Sequence, residues 1–172
     1  MTDTTPTPGR VWRRMTAEQR QRAARVFWRD ETGAAERAQA VQLIAQHMKS
    51  RPKTVAALDD DRRARYLASV PTLSDAMAAR VLMLYHLAEQ RPMMGAFLDA
   101  LGIEHDDGVI RNDDAMPNPG KVAEAAAAVA GAYPAADVSI YLNTLLSQDP
   151  RTWGALGGLP QLEAENQPGG RT

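Results

Sequence analysis

Cysteine is absent from this chain of 172 residues. That excludes disulfides, thiolate nucleophiles and cysteine metal sites, and it accords with a reducing compartment. Aromatic residues make up only 5%, and β-branched residues are sparse beside abundant alanine, a balance that favours helix over sheet. No segment alternates apolar and polar residues as a half-buried strand does. No apolar run approaches the roughly 18–20 residues that span a bilayer. The opening MTDTTPTPGR lacks the apolar centre of a secretory signal. The expectation is a cytoplasmic protein without membrane association. Also missing are GxSxG, the phosphate-binding Gly-rich loop, and a GxGxxG that opens a helix. Lysine is scarce, with 3 against 17 arginines.

What is present suits a soluble globular domain: 44% hydrophobic and 24% charged residues, in a chain long enough for one substantial core. The stretch DAMAARVLMLYHLAEQRPMMGAFLDAL, residues 75–101, organises the rest. Good helix formers run from 75 to 90, too long for a buried strand, and are apolar on nearly every side, so neighbours have to cover them. Ser74 or Asp75 supplies the cap. Pro92 stops this helix and opens the next, which ends at Gly102. Arg-Pro followed by Ala, Leu and Asp recurs 40 residues apart at Arg51-Pro52 and Arg91-Pro92, with a weaker copy at Asp149-Pro150. Helix, proline corner and short helix then predict helical hairpins whose apolar faces stack.

Elsewhere, Thr16 and Gln19 form a capping-box pattern before a helix over 16–30, with Trp12, Met15, Ala23, Val26 and Phe27 inward. A second helix over 34–49 is predicted to bury Ala38, Val41, Ile44 and Ala45. Asp59 caps a helix over 60–70, with acids before bases as the helix dipole favours. Asn118-Pro119 opens a nearly polyalanine helix, and residues 135–148 form an amphipathic one. The predicted fold is all-α: about eight helices packed as successive antiparallel hairpins in a single compact domain over 10–158. A disordered arm at 1–9 and a flexible tail at 159–172 flank it.

Charge is uneven. Residues 1–65 carry a net +6 and residues 66–172 a net −7. Arg22, Arg25 and Arg29 form a stripe on the first long helix, suited to an acidic partner or to phosphates. Met77, Met83, Met93 and Met94 cluster around the central hairpin, where methionine packs adaptably against a partner or fills core. The irregular stretch 102–118 holds Glu104, His105, Asp106, Asp107, Asn112, Asp113 and Asp114. Placing Gly108 at position six of a calcium loop puts Ile103 at position one, so a solvated loop without metal is expected. His86, within the apolar helix, reads as a core histidine. The functional expectation is a non-catalytic interaction protein that binds a protein partner, with Arg22, Arg25, Arg29, Met93 and Met94 as its contact residues and no cofactor. A nucleic-acid-associated protein using the Arg-rich first helix is the alternative. A small-molecule binder or enzyme, with a pocket around Tyr85, His86 and Met94, is the second.

Overall fold

The computed structural model describes residues 5–31 and 33–163. The chain is mostly helical and divides into two compact units. One is Pro8–Ala88; the other runs from Glu89 onward, together with the described residues 5–7.

The N-terminal unit holds α1 (Pro8–Arg14), α2 (Ala17–Arg29), α3 (Ala34–His47), α4 (Pro52–Ala56), α5 (Asp60–Ser69) and α6 (Asp75–Glu89). α1 begins inside the segment read from sequence as an arm. Pro8 presets the first helical turn, and the helix is tied down at both ends. The Gly9 N–H donates to Asp75 Oδ1 at 2.9 Å and the Trp12 indole N–H to the Val70 carbonyl at 3.0 Å. Only glycine fits at position 9, since a Cβ there would lie 2.9 Å from the Leu73 carbonyl oxygen. Thr16 and Gln19 close the expected capping box with two 2.9 Å bonds. Asp59 caps α5 through the Arg62 N–H at 2.8 Å, and Ser74 caps α6 through the Met77 N–H at 3.2 Å.

α5 packs on α2 and α3, and the core joins Trp12, Phe27, Trp28, Ile44, Leu67, Leu82 and Tyr85. Two expected core positions of α3 differ: Ala38 is exposed and Val41 half-buried, because the inward face is Ala40, Ile44 and Ala45. α6 is also covered less fully than its composition suggests. Met77, Ala78, Val81, Leu82, Tyr85 and His86 form one wide buried stripe, while Met83 is 37% exposed.

The C-terminal unit holds α7 (Arg91–Leu101), α8 (Pro119–Ala132), α9 (Ala135–Gln148) and α10 (Pro150–Trp153), with 3-10 turns at Gly154–Leu156 and Pro160–Glu163. α7 ends as expected at Gly102, whose φ is 70°. The all-helical expectation is corrected between α7 and α8. There β1 (His105–Asp106) and β2 (Val109–Ile110) pair antiparallel, His105 opposite Ile110 and Asp106 opposite Val109. Asp107 (φ 48°) and Gly108 (φ 86°) make the two-residue turn, the Asp-Gly pair such a hairpin favours. α7 packs on α8, and Phe97, Leu98, Val122, Ala126, Tyr141, Leu142, Trp153 and Leu156 share one core. α9 is the most enclosed helix, with every residue from 138 to 144 buried. Within the stretch expected as tail, residues 160–163 form a turn on α9 with Leu162 6% exposed; residues 164–172 lie outside the described range.

Candidate interaction surfaces

The arginine stripe of α2 is not uniform. Arg22 is half-buried, its guanidinium donating to the Tyr85 hydroxyl at 2.9 Å and lying 5.7 Å from that ring's centroid. Arg22 is therefore part of the N-terminal unit's internal packing. Arg25 is exposed and only loosely linked to Asp61 of α5, at 3.9 Å. Arg29 is exposed. The helix packed against α2 adds exposed Arg62 and Arg65, and Arg63 stacks 4.9 Å over the Trp28 ring. Arg80 of α6 pairs with Asp30 at 2.6 Å. Some of the unit's arginines are thus structural, and others remain on its surface.

Met93 and Met94 do not form a surface pair. Met93 is 1% exposed and belongs to the core of the C-terminal unit, while Met94 packs against that core from its edge. Tyr85 and His86 belong to the other unit, both buried. Desolvation lowers the His86 pKa to about 3, so the imidazole is neutral near pH 7. Burial raises that of the Tyr141 hydroxyl. Hydrogen bonds from Thr152 hold the Asp149 carboxyl below the usual carboxylate range, consistent with its role as cap of α10.

The polar cluster with defined geometry lies where the β-hairpin meets α7. Arg91, Gly95 and Asp99 fall at i, i+4 and i+8 and so share one side of that helix. His105 Nδ1 accepts the Gly108 N–H at 3.1 Å, while Nε2 lies 2.9 Å from Asp99 Oδ1. A ring nitrogen that accepts carries no proton, so this pattern assigns the neutral ring's hydrogen to Nε2, donating to Asp99. Arg91 donates to the Asp107 carbonyl at 3.2 Å. A Cβ on Gly95 would meet His105 Cε1 at 3.2 Å, so the glycine lets the imidazole approach the helix closely. With both nitrogens engaged, His105 works as a latch for the hairpin turn; using it as a base would require breaking one of these bonds. Beside it lies an open depression of about 410 Å³, lined by Asp99, Gly102, Ile103, Glu104, His105 and Arg111. Among the described residues no three His, Asp or Glu side chains converge as metal ligands.

Charge divides with the fold. Residues 8–88 hold 15 Lys or Arg and 8 Asp or Glu, a net +7. Residues 89–163 hold 4 and 11, a net −7. The sequence showed the gradient but not that it coincides with a boundary between packed units. Missed in the sequence were the side of α7 that holds the hairpin, for which Asp107-Gly108 was the available signal, and the buried Ser139 and Asn143 of α9. No helix among the described residues is long and apolar enough to cross a membrane. No family model, curated protein or solved structure matches the chain.

Proposed function

We propose that the protein is a non-catalytic helical interaction protein whose N-terminal unit docks an acidic surface of a protein partner through exposed arginines of α2 and α5, chiefly Arg25, Arg29, Arg62 and Arg65. The observation that carries this reading is the division of charge between the units, +7 in residues 8–88 and −7 in residues 89–163. A unit of that net charge, with some of its arginines exposed, steers an acidic partner and favours one orientation. Arginine suits it better than lysine, because its planar fork pairs bidentately with carboxylates. The absence of cysteine supports a reducing, cytoplasmic setting.

Exposed Arg10, Arg13 and Arg14 on α1 favour nucleic acid as a second reading. The recurring proline corners support an internal repeat: Val55, Gly95 and Trp153, each three residues past the proline, are all buried.

Affinity isolation of the full chain from its native host at low salt tests the proposal, with Arg29→Glu/Arg62→Glu/Arg65→Glu as comparison. The wild type should retain one protein partner, and the variant should recover it at least about tenfold less. Equal recovery by both contradicts the reading. Material lost on nuclease treatment assigns the surface to nucleic acid instead.

A further inference from the structure

We propose that His105 makes the β-hairpin turn a proton-sensitive flap, which seats on α7 while the imidazole is neutral and lifts from it when the ring takes a second proton. The device lies in the C-terminal unit and is independent of the arginines above.

The seated turn demands one protonation state. The Gly108 N–H is a fixed donor, and it reaches His105 Nδ1 at 3.1 Å. A doubly protonated imidazole donates at both nitrogens and accepts at neither. Nδ1 and the Gly108 nitrogen would then face each other with a hydrogen each. Turning the ring over gives no relief, because Nε2 is a donor too. Water does not replace Nδ1 in the seated state either. Gly108 is buried, and a Cβ on it would lie 2.8 Å from Met94 Cβ and 3.0 Å from the Arg91 carbonyl oxygen. Its N–H gains a new acceptor when the turn moves away from the helix.

The surrounding charges decide which end of the latch gives way. On the α7 side, Asp99 Oδ1 lies 2.9 Å from Nε2, and its carboxylate stabilises an imidazolium. Arg91 of α7 holds the turn by its bond to the Asp107 carbonyl at 3.2 Å, with the Asp107 carboxylate 3.7 Å away. Glu104, Asp106 and Arg111 are the other charged groups of the hairpin and its flanks, all exposed. The Asp99 side chain is 76% exposed, so water screens its pull on the ring. A buried N–H stripped of its acceptor keeps its full desolvation cost. Asp99 therefore stays with the protonated ring while the Asp107-Gly108 turn lets go. Imidazole titrates in the physiological range, so the flap is seated at higher pH and released as pH falls. Release uncovers the side of α7 at Met94 and Gly95.

Amide exchange of the full chain from about pH 7.5 to about pH 5.5, with the His105 ring followed by its NMR shifts, tests this. Protection of the Gly108 amide, taken relative to an unstructured chain at each pH, should fall at least about tenfold as the ring titrates, while Leu98 in α7 keeps its protection. His105→Asn puts a non-titrating acceptor near the Nδ1 position, and in this variant Gly108 protection should not change with pH. Unchanged Gly108 protection in the wild type across the ring's titration overturns the proposal. So does a ring that stays neutral throughout, or an equal loss at Leu98, which would mean that the whole unit opens. The same fall in His105→Asn assigns the effect to another group and overturns it as well.

Discussion

His86 turns burial into a dependence on pH. It is 4% exposed, and desolvation brings its pKa from 6.5 down to about 3. Between those values the folded chain keeps the ring neutral while the unfolded chain protonates it. The unfolded state therefore binds the extra proton, and stability falls as pH drops from 6.5 towards 3, by up to about 1.4 kcal/mol per unit. Urea unfolding should show the wild type losing about 2 kcal/mol more than His86→Leu between pH 7 and pH 5; equal losses would mean the ring is not desolvated. Lys49 is a second residue with a measurable signature. It sits at φ 53° after α3, in a left-handed cap closed by the Ser50 N–H on the Ala45 carbonyl at 2.9 Å. Lys49→Gly should raise stability by about 0.5–1 kcal/mol in thermal unfolding, since glycine takes this conformation without strain. His86 was legible in the sequence as a core residue. The Lys49 cap was not, because lysine gives no sign of a left-handed backbone.

At the scale of elements, caps and proline corners were the readable part. Thr16, Asp59 and Asn118 each accept the bond their type and position implied. Burial was read less well. The apolar run of α6 pointed to the most enclosed helix, yet that helix is α9, whose interior includes Ser139, Asn143 and Thr144. These residues hide their polarity by bonding nearby carbonyls: Thr144 donates to Ile140 at 2.7 Å and Asn143 to Ser139 at 2.8 Å. Hydropathy counts them as surface, whereas the helix geometry lets them be core. The β-hairpin was missed because two-residue strands carry no alternation, and the turn pair Asp107-Gly108 was absorbed into an acidic loop.

That hairpin gives a sharp comparison. A Cβ on Gly108 would lie 2.8 Å from Met94 Cβ and 3.0 Å from the Arg91 carbonyl oxygen, at φ 86°. Gly102, at φ 70°, has nothing within 4 Å. Gly108→Ala should therefore cost about 2–3 kcal/mol and Gly102→Ala only about 1 kcal/mol, by urea denaturation. Equal costs would show that the hairpin does not seat against α7.

For the whole molecule, charge is the property that sequence and structure share most directly. The gradient was visible along the chain, but where it changes sign was not. A helix such as α6 carries no mark of where one packed unit ends, since that depends on which distant residues its side chains meet. In the structure the sign changes with the units, +7 then −7, and the arginines divide between packing, as with Arg22 and Arg80, and surface, as with Arg29 and Arg65. This separation predicts a salt-sensitive complex, because exposed charge pairs are screened within about 10 Å at 0.1 M salt. Partner recovery should drop steeply between low salt and about 0.3 M, and recovery insensitive to salt would point to an apolar contact instead.

Hydrogen exchange on the full chain, alone and with any co-isolated partner, tests the proposed docking surface most directly. Protection on binding should concentrate in peptides covering α2 and α5, around Arg25, Arg29, Arg62 and Arg65. Protection confined to residues 89–163, with α2 and α5 unchanged, would contradict it.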